Sequence, residues 1–184
     1  LSNWDAGMDM YIYGKLGNLI MTKEGINVLM TNLTGKVPPI LQRLDYIRFN
    51  GEAAGYLHDL TLTGLFYTGA GMVKTDVMMS IDEQSMSRTY SGSVASADLD
   101  LGKLLNQEKK FGKVDFNVEL KGFNYKNRYP ESYIKGIISS FEYSQYQYEN
   151  IMLDGVYKDG GFNGRLSMDD ANGSVQIDGN FNVA

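Results

Sequence analysis

Few residues of this chain are of types that perform chemistry, and their spacing argues against a reaction centre. His58, flanked by Leu57 and Asp59, is the only histidine, and cysteine is absent. One imidazole without a second gives neither a metal triad nor a serine–histidine relay. Without thiolates there is no disulfide framework, sulfur-ligated zinc site or thiol nucleophile. His58 is therefore expected to be a strand residue facing solvent. Adjacent carboxylates stand at Asp82-Glu83 and Asp169-Asp170. Carboxylate pairs serve glycosidases, but both pairs fall at the ends of expected strands, where acidic residues make turns. The stretch 169–173, Asp-Asp-Ala-Asn-Gly, lacks the ligand spacing and the closing glutamate of a calcium loop. The expectation is a protein that is not an enzyme, with no catalytic residue, no metal ligand and no cofactor.

Tyrosine is the remaining functional candidate. Tyr143, Tyr146 and Tyr148 cluster, with Tyr125, Tyr129 and Tyr133 nearby. Such a group suits sugar stacking or protein contact, but tyrosine also favours strands and pairs well across them. A structural role is the expectation, and a carbohydrate- or protein-binding β-sandwich of the bacterial surface is the alternative. The net charge is −5 and no basic run exceeds Lys109-Lys110, so a phosphate-tracking surface and a nucleic-acid partner are not expected.

The elements that would position any site are strands. Val114, Phe116, Val118 and Leu120 alternate with Asp115, Asn117, Glu119 and Lys121. Phe162, Leu166 and Met168 alternate with Asn163, Arg165 and Ser167, and Val175, Ile177, Phe181 and Val183 with Gln176, Asp178, Asn180 and Asn182. Successive strand side chains point to opposite faces, so each segment has one apolar and one wet face. Eleven or so such strands are expected, near 8–16, 26–30, 46–51, 56–67, 71–81, 95–99, 113–121, 132–143, 147–157, 162–168 and 174–183. One helical turn is expected at Ile40, Leu41 and Leu44, after Pro38-Pro39 halts pairing, and a short helix over 101–108.

Tight links such as Lys158-Asp159-Gly160-Gly161 imply antiparallel neighbours and a meander. The fold class is all-β: an elongated, curved, taco-like or grooved sheet, with a β-sandwich as the rival, in one domain over 1–184. In-strand glycines, Gly14, Gly64, Gly136, Gly155, Gly164 and Gly179, are expected to permit bends and close approach. A loose repeat pairs 35–67 with 92–121, each a glycine with alternating strands and a Leu-rich turn. No stretch reaches the roughly 18 to 20 apolar residues of a membrane span. The chain opens on Leu1 rather than methionine, which suggests a piece of something longer.

Three stretches carry a resemblance: YQYENIMLDGVY at 146–157, GFNGRLSMDD at 161–170 and GSVASADLDLGKLL at 92–105. Their strand and turn grammar resembles the AsmA-like/TamB translocation and assembly module proteins, closest to the large versions of Bacteroidetes-type bacteria. The likeness is good over about 88–184 and weaker over 40–87. It implies an internal fragment of a long periplasmic cell-envelope protein, anchored in the inner membrane elsewhere, and built as a β-taco with an apolar inner face. That family is implicated in phospholipid transport to the outer membrane and in outer-membrane protein assembly. The implied partners are phospholipid acyl chains and, through regions outside this segment, an outer-membrane barrel assembly protein.

The residues can be weighed for that role. Burying ten methylenes yields roughly 8 kcal/mol at about 0.8 each, against an association cost of about 4 to 15 kcal/mol. Binding would be weak, which suits sliding along a groove better than storage. The candidate lining is Val114, Phe116, Val118, Leu120, Ile151, Leu153, Phe162, Leu166, Met168, Val175, Ile177, Phe181 and Val183. Terminal strands of such a sheet would also leave edges able to pair two copies into a dimer.

Overall fold

The computed structural model describes residues 11–34, 37, 39–56, 58–82, 84–85, 87–124 and 131–182. In chain order they form β1 (Tyr11–Thr22), α1 (Lys23–Thr34), a 3-10 turn (Leu41–Arg43), β2 (Tyr46–Tyr56), β3 (Asp59–Thr68), β4 (Gly71–Asp82), β5 (Ser87–Asp100), α2 (Leu101–Leu105), β6 (Phe111–Asn124), β7 (Glu131–Tyr143), β8 (Tyr146–Lys158), β9 (Gly161–Asp170) and β10 (Gly173–Asn182). The expected strands near 46–51 and beyond are all present, most of them longer than the apolar alternation marks.

All ten described strands belong to one antiparallel sheet in strict sequence order, and the first does not pair with the last. This is the open meander that the short links require; the described residues form no second sheet, so they are not a sandwich. Turn chemistry sets the register. Asp159 and Gly160 have φ of 52° and 81°, and Ser144 and Gln145 have 51° and 68°, the left-handed pair that a tight two-residue hairpin needs to match strand twist. Between β9 and β10 the Asp170 carboxylate accepts from the backbone of Asn172 at 2.8 Å and Gly173 at 3.1 Å.

One expected strand needs correction. Residues 26–30 are helical, within α1, rather than a strand. Ile26 and Met30 are four apart, so they share a face both in a strand and in a helix. Val28 separates the two readings: it would lie on that same face in a strand, but it is 62% exposed while Ile26 is 2% exposed. The strand expected at 95–99 is present within β5, but its alternation breaks. Asp98 adopts φ 56° and the β5–β6 register shifts between Ser96 and Leu99. Leu99 thereby turns onto the apolar face beside Val114, and Ala95 and Ala97 stay on the polar one.

Glycines bring backbones together where a side chain would not fit. A Cβ on Gly155 would stand 2.5 Å from the Asn163 carbonyl, and one on Gly164 2.5 Å from the Gly155 Cα. In a flat sheet a Cβ stands clear of the neighbouring strand, so this approach bends the pair toward the apolar face. Gly51 and Gly64 form a second such cross-strand pair, with the Phe49 ring laid over both. Gly136 faces the Asn117 carbonyl in the same way, whereas Gly14 and Gly179, on the outer strands, face open space.

Candidate functional site

The candidate site is the apolar face itself. Its continuity follows from register. Phe116, Ile138, Ile151, Met168 and Val175 stand side by side on β6 to β10, and Val118, Gly136, Leu153, Leu166 and Ile177 form the next row. Leu120 and Ile134 begin a third row that continues through Gly155, Gly164 and Gly179. Eleven of the thirteen lining candidates therefore share one face. Val183 lies outside the described residues, and Phe181 is placed by its backbone pairing with Phe162. Ile134 and Ile138 belong to the same face and escaped the sequence reading, although their alternation around Gly136 signals it.

Cover is unequal along this face. At one end α1, the 3-10 turn and α2 bring Ile26, Leu44 and Leu104 against Ile47, Ala70, Leu99 and Val114, and Phe116, Ile138 and Phe141 pack onto that cluster. The two Leu-rich turns of the loose repeat meet here: Arg43 donates through Nη1 to the Leu104 carbonyl at 2.6 Å. Asp100 caps α2 by accepting from the Lys103 backbone at 2.9 Å. Val114 is thus part of a closed core and Phe116 borders it. Further from the helices Val118, Leu120, Leu153, Phe162, Leu166 and Met168 are half-buried, and on β10 Val175 is 39% and Ile177 41% exposed.

The opposite face is polar and ionic. Lys135, Asp154, Arg165 and Asp178 follow one another in register, with Lys135 Nζ 3.5 Å from Asp154 Oδ2 and Arg165 Nε 2.9 Å from Asp178 Oδ1. The Tyr133 hydroxyl donates to Asp154 at 2.7 Å. That hydrogen bond, then the Lys135 charge, holds the Asp154 carboxyl below its ordinary range, and the hydrogen bond raises the Tyr133 hydroxyl in turn. A depression of about 530 Å³ lies on this side, over Ile137 and Met152, with Lys135, Asp154 and Arg165 on its walls.

The residues with chemical potential are occupied structurally. Asp82 accepts from the Ser85 backbone at 2.8 Å and its hydroxyl at 3.0 Å, closing a turn; Glu83 lies outside the described residues. Asp170 holds the β9–β10 turn and also accepts from the Tyr146 hydroxyl at 3.1 Å. His58 is not a solvent-facing strand residue as expected: it lies in the turn between β2 and β3, half-buried, and stacks on Tyr56 with ring centres 5.4 Å apart. Tyr146 and Tyr148 pack edge to face at 4.6 Å, and Tyr143 joins Phe111 and Phe141; Tyr125 and Tyr129 lie outside the described residues. Among the described residues no three His, Asp or Glu side chains gather where they could hold a metal.

The geometry defines an open, single-layer antiparallel meander whose apolar face is plugged by helices at one end. No family model, curated protein or solved structure matches the chain.

Proposed function

We propose that this chain is a non-enzymatic, periplasmic segment of an AsmA/TamB-like envelope protein, whose apolar face supports phospholipid movement between the inner and outer membranes and outer-membrane protein assembly. One observation carries this reading. A continuous apolar face crosses the sheet, yet among the described residues helices cover it at one end only, leaving Val175 and Ile177 wet. Soluble chains rarely expose such contiguous apolar surface without an occupant. Weak, unanchored contact with methylenes suits transit, since each added methylene gains only about 0.8 kcal/mol. The helical plug then acts as a fixed wall, and the glycine-bent rows as the floor on which acyl chains lie.

The test is gentle extraction of the protein with its bound lipids, followed by lipid mass spectrometry, for the wild type and for a variant carrying Val118→Asp and Ile177→Asp. Co-purifying phospholipid that disappears in a variant with an unchanged circular dichroism spectrum supports the proposal. A wild-type protein free of phospholipid, and unable to take up a fluorescent acyl-chain probe, overturns it.

A further inference from the structure

The polar face carries a second depression, of about 580 Å³, which differs from the one over Ile137 and Met152 in the state of its polar groups. Two cross-strand rows build it. Ser80, Thr89, Phe123 and Glu131 stand side by side on β4 to β7, and Met78, Ser91, Lys121, Tyr133 and Val156 form the neighbouring row on β4 to β8. Each of these strands has both its neighbours within the described sheet. Around the first depression, ion pairs engage Lys135, Asp154 and Arg165. Around the second, Lys158 engages Glu131 at 2.8 Å and Asp154 accepts from Tyr133. Among the described residues, however, the exposed Lys121 ammonium pairs with no carboxylate, and the Ser80, Thr89 and Ser91 hydroxyls bond to no protein group. The surface between them is apolar, with Phe123 46% and Met78 49% exposed.

We propose that this depression binds an acidic saccharide, with one face of a sugar ring on Phe123, ring hydroxyls on Ser80, Thr89 and Ser91, and a carboxylate on Lys121. A pyranose combines what these groups need. Its C–H face lies on an aromatic ring, and its hydroxyls both donate and accept, as do those of serine and threonine. An acyl chain laid over the same hydroxyls would desolvate all three without returning a hydrogen bond. Lys121 and Phe123 are two apart on β6, so they share a face about 7 Å apart, a separation that a sugar ring and its exocyclic carboxylate span. Thr89 and Ser80 lie one and two strands to the side of Phe123, which leaves space for a second ring, and the volume falls within the range of about 300 to 1,000 Å³ of small-molecule sites. With Glu131 taken by Lys158, the charge left over is positive, which favours an acid above a neutral sugar. The acyl-chain proposal uses the opposite face, and neither depends on the other.

Titration with cellobiouronic acid, and with cellobiose as its neutral counterpart, followed by two-dimensional amide NMR, tests the proposal. The acid should bind in the millimolar range, as suits an open and partly wet site, with the largest shifts at Thr89, Ser91, Lys121 and Phe123. It should bind about two- to fivefold more tightly than cellobiose, and Lys121→Gln should bring it down to the affinity of cellobiose. Phe123→Ala should weaken both sugars about tenfold. Thr89→Val keeps the branched shape that strands favour and should weaken both about threefold, which keeps the test open if Phe123→Ala lowers the melting temperature. Absence of binding by either sugar overturns the proposal, as does equal affinity of the wild type for the two. Shifts centred on Tyr146 and Tyr148 would overturn it as well, and so would displacement of the acid by equimolar inorganic phosphate, which would make Lys121 a bare anion site.

Discussion

The two ends of the apolar face obey the same alternation and meet different fates. At the helical end the rows disappear under α1, the 3-10 turn and α2, and Val114, Leu99 and Ile47 are buried. Toward β10 the same parity leads to Val175 and Ile177, which remain wet. Period-two patterning therefore decides which way a side chain points, and a separate set of residues decides whether it is covered. The most direct way to break this comparison is truncation. Leu104→Ala should cost about 2 to 5 kcal/mol, because it removes buried methyls and leaves a cavity beneath α2. Ile177→Ala should cost under about 1 kcal/mol, since little of its contact is lost. Urea unfolding midpoints read the difference, and equal losses would mean that the two ends are packed alike.

Glycine sharpens the contrast at the next level of effect. Gly155→Ala places a methyl 2.5 Å from the Asn163 carbonyl and should cost about 1 to 3 kcal/mol through forced backbone movement. Gly179→Ala meets nothing within 4 Å and should be neutral or stabilise by about 0.4 to 1 kcal/mol, by restricting the unfolded chain. Both stand in one row, so thermal melts of the pair isolate the effect of having a neighbouring strand on both sides. Comparable losses would remove close backbone approach as the role of Gly155. Asp100→Ala should have a smaller effect, about 1 kcal/mol from the lost N-cap, and it should loosen the plug without disturbing β8 to β10.

Much of this was legible in the sequence. Val114 to Leu120 and Val175 to Ile177 declare strands because polar and apolar residues alternate without exception, and Asp159-Gly160 declares its hairpin because both positions tolerate positive φ. The helix α1 was not legible, since Ile26 and Met30 fit both periods and only the exposure of Val28 separates them. The parity flip at Asp98 depends on a single left-handed residue that no spacing rule marks. Whether the apolar face is covered was equally hidden. Cover comes from Arg43 reaching Leu104 across 61 positions of sequence, and local pattern carries no information about such a contact.

The smallest expected effect is on acid stability, and it tests whether the uncapped half relies on its polar face. Asp154 is held below its ordinary range by the Tyr133 hydroxyl and by Lys135, and Asp178 by Arg165 and then Gln176. A carboxyl whose folded value lies below its unfolded value stabilises the fold when ionised. That contribution is complete above the ordinary carboxylate range of about 4 and is lost as pH falls through the lowered folded value. Both groups are exposed, so the gain is modest and weakened by salt. Both also lie on β8 to β10, where no helix among the described residues covers the other face. Acid should therefore loosen β7 to β10 before the plugged end, and Asp154→Asn should flatten the dependence. Hydrogen exchange at pH 7 and pH 3.5, corrected for intrinsic rates, reads protection strand by strand. If β2 to β5 lose protection first, the ionic row is incidental, and the uncapped half is held by its backbone ladder and bent glycine rows alone.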